Sequence, residues 1–409
     1  MSVVLLKIGM VLSPFYELLV KLCPSAVVIT PDTRIAKTFI GIWLAIIIGG
    51  SACFSGELKR CKNKWILLFL VFIPLSIHLS PQYNIELNGV KSSNFWAWKP
   101  FVMYLSYFLM FMVVQSLNIT KRGIRGIFNT MAWCAFVMAG YVLLQNIGWD
   151  QFFNVKTGGQ FDNVTKPLVV GTLGNSTIVS PYIAMIIPMA LYLHRWVVSF
   201  VLICAVVVSQ SAMAIGAMVV SLLVYLCLRF RMKGVFVVFL TVVLGVSVLN
   251  GVRVLKPQVF ESMRIVENNG RISLWKGIVK EMKSGEFGEA KDSYPYTGLG
   301  LGSYNVLMKP TLGNIFAQAH NEYIQVFVET GLIGLFLFLM AIFYMMKEAL
   351  LSYIDRFNRS EISALVCSFL CIGLVACGSF PWQIAPLIYL TVIVVGLLHN
   401  ENILQGELE

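Results

Sequence analysis

Apolar stretches close to twenty residues long recur along the whole chain and are separated by short polar patches. A helix of about twenty apolar residues spans the hydrocarbon core of a bilayer, where every backbone polar group needs a partner within the protein. Of the 409 residues, 58% are hydrophobic and only 12% are charged, whereas a soluble domain carries roughly 25% charged residues. The sequence therefore predicts an all-α integral membrane protein.

The positions of the apolar blocks predict about twelve transmembrane helices in a single polytopic membrane domain, residues 1–409. The predicted spans lie near residues 9–29, 36–54, 65–80, 99–118, 126–147, 176–193, 196–209, 211–228, 234–250, 321–346, 361–378 and 384–398. The first block contains Lys7, Glu17 and Lys21 and lacks a small-residue cleavage site. We therefore interpret it as a first span or an interfacial helix, not as a cleavable signal.

The net charge of +11 comes largely from basic residues in short loops between the apolar blocks. These clusters contain Lys59, Arg60, Lys62, Lys64, Lys121, Arg122, Arg125, Arg229, Arg231, Lys233, Lys347, Arg356 and Arg359. Alternation from a cytoplasmic N-terminus places all of them in the cytoplasm, where basic loops are retained during insertion, and places both termini there too. Membrane topology and neighbouring anionic lipids thus explain the charge, and we expect no nucleic-acid partner.

The nine cysteines lie mostly inside apolar blocks, and none forms a CxxC pair or a Cys/His cluster with the spacing of metal ligands. Buried free thiols are the interpretation that this placement favours. We therefore expect neither a metal site nor another cofactor.

A long loop at about 251–320 falls on the face opposite the basic clusters, together with loops at about 81–98 and 148–175. Its first part, residues 258–283, carries apolar and basic side chains at helical spacing, which predicts a basic amphipathic helix lying against the membrane surface. The apolar members are Ile272, Trp275, Ile278, Val279 and Met282. The following residues, 284–306, are rich in Gly, Pro and Tyr and predict loops.

His320 stands where this long loop meets a predicted transmembrane helix, followed by Asn321 and Glu322. At such a junction an imidazole is partly desolvated and still reaches a polar acceptor, which suits a general base or proton shuttle near neutral pH. An interfacial histidine that caps the helix fits the same position. Both interpretations remain open on position alone.

Two carboxylates follow His320 on one face of the predicted helix. Glu322 and Glu329 are two turns apart, whereas His320 lies about 200° around the helix from Glu322, so the imidazole is not simply paired with that carboxylate. Glu329 falls inside the predicted bilayer region, where a carboxylate is costly and is either functional or partnered. A structural role, bound to backbone or to an arginine, stays open beside a catalytic one.

The glycines near this helix favour close packing. The GLGLG sequence at 298–302 lacks the preceding strand, the following helix and the acidic residue of a dinucleotide site. We expect it to let the chain pass close to a ligand or to helix ends. Gly331 and Gly334 are typical of closely packed helices.

The loop before His320 is rich in cations: Arg253, Arg264, Arg271, Lys276 and Lys280. Guanidinium groups bind phosphate in bidentate fashion and stay charged at any working pH. If the substrate carries a diphosphate, this set would hold it and neutralise the leaving group without a metal. The alternative is a basic helix resting on anionic lipids.

Three stretches, GTLGNSTIVSPYIAMIIP at 171–188, GRISLWKGIV at 270–279 and TGLGLGSY…AHNEYIQVFVETGLIGLFLF at 297–338, resemble the O-antigen ligase and O-antigen polymerase superfamily. The resemblance implies transfer of a glycan from an undecaprenyl-diphosphate carrier to an acceptor hydroxyl, on the periplasmic face of the bacterial inner membrane. It also implies a GT-C-type membrane glycosyltransferase fold and a reaction without a divalent metal.

The resemblance places the family's histidine on His320 and its loop arginine on Arg271, and we predict both to be catalytic. Where relatives carry Ser-Arg or Ser-Lys, this chain has Ser209 and Gln210. Another cation therefore replaces the missing one, or diphosphate binding is arranged differently. We predict donor binding by Arg264, Lys276, Lys166, Asn321, Glu329 and Gln210.

Several acceptors and one rival class stay open. The acceptor is lipid A–core for a ligase, a growing glycan for a polymerase, or a protein side chain for an O-oligosaccharyltransferase. We favour the first two, because the sequence ends near its last predicted helix while many protein-glycosylating relatives extend further. A transporter or flippase of lipid-linked glycans would also suit twelve spans, but transporters often show two related halves, and here the polar chemistry lies in one external loop.

Overall fold

The computed structural model describes residues 2–15, 63–79, 86–87, 90–91, 95–150, 169–230, 271–284, 294–304, 318–355 and 359–400. Helices dominate these ranges. They are α1 (Ser2–Leu12), α2 (Lys64–Leu79), α3 (Phe95–Ser116), α4 (Lys121–Asn146), α5 (Ser176–Tyr192), α6 (Trp196–Val208), α7 (Ala212–Phe230), α8 (Arg271–Ser284), α9 (Tyr294–Thr297), α10 (Glu322–Asp355), α11 (Arg359–Ala376) and α12 (Ala385–Leu398). A short 3-10 turn at Ser13–Phe15 follows α1, and another at Pro381–Gln383 precedes α12.

One element departs from the predicted all-α fold. In the loop before α3, β1 (Glu86–Leu87) pairs with β2 (Val90–Lys91) in a small antiparallel hairpin. Two residues on each strand do not alter the class, since the described core is built from helices.

Nine of the predicted spans coincide with described helices, from α2 at 65–80 to α12 at 384–398. The predicted span at 9–29 overlaps the end of α1 and continues beyond the described residues, and the spans at 36–54 and 234–250 lie outside them. Within the described ranges, three helices are long and apolar enough to cross a membrane: Lys121–Asn146, Ala212–Phe230 and Glu322–Leu351. Six shorter apolar helices accompany them. The total of twelve spans stays a prediction.

Polar residues cap several helices where the sequence changes from loop to apolar block. The Thr120 hydroxyl accepts a hydrogen bond from the Gly123 amide at 3.2 Å, at the start of α4. The Asn175 side chain accepts one from the Thr177 amide at 2.8 Å, at the start of α5. Such caps satisfy amides that have no partner within the helix. Helix α5 begins where it was predicted to begin, whereas α4 begins at Lys121, five residues before the predicted start near 126.

Helix α5 lies at the centre of the bundle. Its residues from Val179 to Ala190 are all buried, against α4, α6, α7 and α11. A helix that is apolar on every side is stable only when other helices surround it. The short, Pro-containing block at 176–193 is therefore an internal helix.

Helix α11 connects the two ends of the bundle, which are about 27 Å apart along its 18 residues. In its first turn, Glu361 accepts a hydrogen bond from the Tyr192 hydroxyl at 2.6 Å. We call the end of the bundle near Glu361, where α11 begins, the opposite end. We call the end near residues 377–383, which follow α11, the site end. Arg125 and Arg229, from two of the basic clusters, line one cavity at the opposite end, as expected if these clusters share one side.

Helix α10 is interrupted at Gly331, whose φ of 66° and ψ of −169° are not helical. The backbone of the GLGLG segment fills this break: the Leu299 and Gly300 amides donate to the Val328 and Glu329 carbonyls at 2.9 and 3.0 Å. A Cβ added at Gly331 would lie 2.4 Å from the Tyr296 carbonyl carbon. GLGLG thus passes close to helix backbone at a break within α10 and not at a helix end, and the expected approach to a ligand stays a prediction.

Candidate active site

The turn between α11 and α12, residues 377–380, brings the predicted catalytic residues together. The Nη1 atom of Arg271 donates to the Gly378 carbonyl at 2.7 Å. The imidazole of His320 lies edge-to-face on the Phe380 ring, with 5.1 Å between ring centroids. Two residues that are far apart in sequence thus contact one short turn.

Arg271 is the first residue of α8 and is half-buried. Burial lowers the pKa of its guanidinium from the usual value, yet an arginine remains charged at any working pH. Its hydrogen-bond partner is a neutral carbonyl, and among the described residues no acidic side chain pairs with it. A fixed cation with uncancelled charge is suited to bind an anion.

Helix α8 holds Arg271 in place by packing against the protein. Its buried residues are Leu274, Ile278 and Met282, which contact Leu299, Tyr304, Ala319 and Val328. Of the apolar residues predicted to lie against the membrane surface, Ile278 and Met282 pack on the protein instead. Ile272 and Val279 are 44% and 40% exposed, and their contact with a membrane stays a prediction. Apolar residues occur on two sides of this helix, so spacing alone did not identify the side that packs inward.

His320 has a left-handed backbone, with φ of 51°. This conformation costs a non-glycine residue roughly 1–2 kcal/mol, although His is among those that tolerate it best. Both neighbours are fixed: the Ala319 carbonyl accepts from Trp275 Nε1 at 2.8 Å, and Asn321 Nδ2 donates to the Cys377 carbonyl at 2.9 Å. These contacts therefore keep the backbone of His320 in its strained conformation and orient the imidazole toward the turn.

The pKa of His320 is lowered from its usual value to about 4. Burial is the main cause, and the positive charge of Arg271 is the second. The imidazole is therefore neutral at neutral pH and has a lone pair that accepts a proton. Asn321 also caps α10, since its Oδ1 accepts from the Ile324 amide at 3.1 Å, so the capping role considered for His320 falls to its neighbour.

A buried network of amide and carboxylate side chains underlies the His320 segment. Gln383 Nε2 donates to Glu322 Oε1 at 3.3 Å, and Gln383 Oε1 accepts from Gln325 Nε2 at 3.2 Å and from Gln318 Nε2. Gln325 Oε1 in turn accepts from the Ala319 amide at 3.2 Å. Gln383 thus binds residues both before and after His320 in the sequence, and we call residues 318–325 the His320 segment.

Glu329 lies at the break in α10 and is bound by neutral groups. Its carboxylate accepts from Gln325 Nε2 at 3.1 Å and from the backbone amides of Gly302 and Tyr304. These contacts correspond to the structural role considered above, in which the carboxylate binds backbone. Its predicted part in donor binding stays a prediction.

Gln210 lies in the turn between α6 and α7, exposed and with φ of 56°. The preceding Ser209 hydroxyl donates to the Val206 carbonyl at 2.6 Å and is hydrogen-bonded to the Ser180 hydroxyl. This turn belongs to the site end, because Met213 at the start of α7 fills the space where Gly378 would carry a Cβ, 2.7 Å from its Sδ.

The other predicted donor-binding residues are not brought to the 377–380 turn by any contact within the described ranges. Lys276 is exposed on the outer side of α8, where it lines a groove with Ile272 and Val279. It lies about 140° around the helix from Arg271. Lys166 and Arg264 lie outside the described residues.

An apolar groove begins beside the site. It is lined by α2, α3, α10, α11 and α12 and extends from Trp382 at the site end toward Val395 and Ile66, with a cavity of about 170 Å³. The Trp382 amide donates to Glu322 Oε2 at 3.3 Å, so the groove and the polar network share this residue. Among the described residues, no three His, Cys, Asp or Glu side chains are grouped to hold a metal ion.

Sequence reasoning missed the segment 377–383, which contacts Arg271, His320 and Glu322. Its sequence, CGSFPWQ, contains Gly, Pro and a polar glutamine between two apolar blocks. Alternation of the predicted spans placed it on the same face as the 251–320 loop. That shared face was the available signal, although it does not say which residues meet.

Comparison with known proteins supports the family resemblance. Residues 197–339 match the family model described as O-antigen ligase, a segment that includes Gln210, Arg271 and His320. A search of curated proteins found no match. Over residues 197–339, the resemblance of this helical, multi-pass membrane protein to the O-antigen ligase and O-antigen polymerase superfamily is therefore confirmed.

Proposed function

We propose that this protein is a membrane glycosyltransferase that moves a glycan from an undecaprenyl-diphosphate carrier to an acceptor hydroxyl. The observation that carries the proposal is the meeting of the Arg271 guanidinium and the His320 imidazole at the 377–380 turn. The O-antigen ligase match supports a ligase or polymerase type of activity in general.

In the proposed reaction, neutral His320 takes the proton of the acceptor hydroxyl as its oxygen attacks the anomeric carbon. The new C–O bond forms on the face opposite the diphosphate, the bond from the anomeric carbon to the diphosphate oxygen breaks, and the anomeric centre inverts. Arg271 stabilises the charge that the departing diphosphate gains. Orienting the two reactants contributes up to ~7–11 kcal/mol, and general-base assistance adds about 10²–10⁴-fold.

Donor binding would prepare the base for this step. The pKa of His320 is about 4, in part because Arg271 is near. A bound diphosphate offsets that positive charge and so raises the pKa of His320 toward its usual range. The imidazole would thus become a stronger base when the donor is present.

The apolar groove supports a lipid-linked donor. It starts at Trp382, beside the polar network, and its lining is almost wholly aliphatic and aromatic. We propose that the carrier's isoprenoid chain lies in this groove while its diphosphate is held by Arg271. Lys276, Asn321, Glu329 and Gln210 remain proposed donor contacts, as do Lys166 and Arg264.

We place the reaction on the periplasmic face of the bacterial inner membrane, with both termini in the cytoplasm and no divalent metal required. The support is the grouping of basic loops at the opposite end, which is typical of a cytoplasmic side. Lipid A–core or a growing glycan is the proposed acceptor, and a protein side chain is the alternative.

The test uses purified protein in vesicles with an undecaprenyl-diphosphate-linked glycan and a candidate acceptor. We expect new glycosidic bonds, detected by mass spectrometry of the acceptor. Movement of the donor across the bilayer without bond formation would overturn the proposal in favour of a flippase.

Deleting the gene and running surface glycans on a gel then identifies the acceptor. Loss of all polymer from lipid A indicates a ligase, whereas caps of a single repeat unit indicate a polymerase. Unchanged lipopolysaccharide with altered glycoproteins indicates a protein O-oligosaccharyltransferase.

A further inference from the structure

An open cavity at the opposite end, far from the proposed catalytic site, gathers four cations. It has a volume of about 610 Å³ and is lined by Lys7 of α1, Arg122 and Arg125 of α4, and Arg195 from the turn before α6. The described residues that line it include no Asp or Glu. A concave surface with several cations and no acidic lining residue is suited to bind an anion.

Neutral groups position two of these cations. A Cβ added at Gly126 would lie 2.9 Å from Lys7 Nζ, so the amine lies directly over the glycine. Arg195 Nη2 donates to Asn129 Oδ1 at 3.2 Å, and its guanidinium lies 5.7 Å from the centroid of the Trp133 ring. These contacts fix direction without removing charge.

Arg125 is connected to the nearest carboxylate only through a hydroxyl. Its Nε donates to the Tyr192 hydroxyl at 3.3 Å, which donates to Glu361 at 2.6 Å. Among the described residues, hydrogen bonds engage no other nitrogen of Arg125. Over the part of the chain that the structure describes, one indirect carboxylate does not balance four cations, so these residues give the cavity a positive charge.

Exposed apolar side chains lie close in sequence to two residues that line the cavity, on α4 and α6. Trp133 is one turn along α4 from the cavity residue Asn129, and Trp196 directly follows Arg195. Trp196, Val197 and Phe200 are 63%, 74% and 67% exposed. Tryptophan beside cations is typical of the membrane interface, where lipid headgroups and acyl chains meet.

We propose that this cavity binds the phosphate group of one anionic phospholipid, whose acyl chains lie on Trp133, Trp196, Val197 and Phe200. Arg122, Arg125 and Arg195 provide guanidinium donors suited to phosphate oxygens, and Lys7 adds a point charge. Membrane topology explains why basic residues share one side, but it does not require four of them to line one cavity. The recognised chemistry is a phosphate ester, and the apolar surface favours a lipid over free phosphate.

The test is native mass spectrometry of the full-length protein in a neutral detergent, titrated with phosphatidylglycerol. We expect the wild type to retain one lipid. In the Arg122→Gln, Arg195→Gln double variant we expect the affinity for the lipid to fall by about tenfold or more, because charged hydrogen bonds are lost. The control variant, Lys64→Gln with Lys347→Gln, removes the same charge from exposed residues outside the cavity and should bind like the wild type.

A charge-neutral change separates a site from general attraction. Gly126→Leu fills the cavity and displaces the Lys7 amine without altering net charge, and we expect it to lose the lipid as well. Equal losses in cavity and control variants, or unchanged binding by Gly126→Leu, would overturn the proposal. Equal displacement by phosphatidylcholine or by inorganic phosphate would show that a phospholipid anion is not the ligand recognised.

Discussion

The two ends of the helix bundle differ in whether a carboxylate helps to hold a cation. At the site end, Arg271 donates to the carbonyl of Gly378. At the opposite end, Arg125 is linked through Tyr192 to Glu361, and Lys121 Nζ lies 3.9 Å from the same carboxylate. A carbonyl fixes the direction of a cation and leaves its charge available, whereas a carboxylate joins helices and cancels part of the charge.

The ends also differ in how firmly the side chains are held in one conformation. The site end holds His320 in a strained backbone conformation above a buried network of glutamine and glutamate side chains. The cavity at the opposite end is open and is lined by long side chains. Fixed geometry is what catalysis requires, while charge in an open cavity suffices for binding.

The largest expected effect is on His320, at the site end. His320→Asn keeps a residue that tolerates the left-handed backbone but cannot take up the proton, and we expect transfer to fall by about 10²–10⁴-fold. The measurement is the initial rate of glycosidic bond formation in vesicles. The matched variant, Arg122→Gln with Arg195→Gln at the opposite end, should retain the wild-type rate; a fully active His320→Asn protein would remove the base assignment.

Arg271 should show the next largest effect. Arg271→Ala removes charge-assisted contacts to the diphosphate and should lower kcat/KM by about 10- to 100-fold, whereas Arg271→Lys keeps the charge and should lose less. Steady-state kinetics with varied donor measure both. If alanine and lysine cost the same, bidentate binding rather than charge carries the role, and if neither costs anything, Arg271 does not bind the donor.

Gln383 separates a positioning role from simple stabilisation. Gln383→Ala removes a hydrogen-bond partner from Glu322 and from two glutamines, which costs about 1–3 kcal/mol of stability. We also expect kcat to fall, because the His320 segment is held less firmly. Tyr192→Phe removes comparable hydrogen bonds at the opposite end. We expect both to lower Tm and only Gln383→Ala to lower kcat; equal kcat in the two proteins would assign Gln383 a structural role alone.

The smallest effect is the pH dependence. Because the pKa of His320 is lowered to about 4, the free protein keeps a neutral imidazole well below the usual histidine range. We therefore expect kcat/KM to fall less than about twofold between ~pH 8 and ~pH 6. Arg271→Gln removes a cation that disfavours protonation, so the acidic limb should move to higher pH; an unmoved limb would mean that the two groups are not coupled.

Much of the fold follows from local sequence. Apolar blocks gave the bounds of α2 to α7 and of α10 to α12 within a few residues, apart from an earlier start of α4 and a longer C-terminal end of α10. Block length and capping residues act locally. Thr120, Asn175 and Asn321 cap their helices through bonds to amides two or three residues away. The family resemblance likewise singled out His320 and Arg271.

Other features depended on partners distant in sequence. The segment 377–383 meets Arg271 and His320 only after α8 and α11 have packed. Likewise, the buried side of α8 was fixed by Leu299 and Val328 and not by its own periodicity. Gln383 carries no local signal, because its three partners come from one turn of α10 and the segment before it.

By itself, the sequence determined the class of protein, the place of most helices and two of the residues proposed to act, because apolar length and short-range hydrogen bonds are local properties. Tertiary structure alone decided that a carbonyl at Gly378 directs Arg271, that Phe380 covers His320, and that four cations share one cavity. The physical reason is that these contacts join residues whose separation in sequence says nothing about their distance in space.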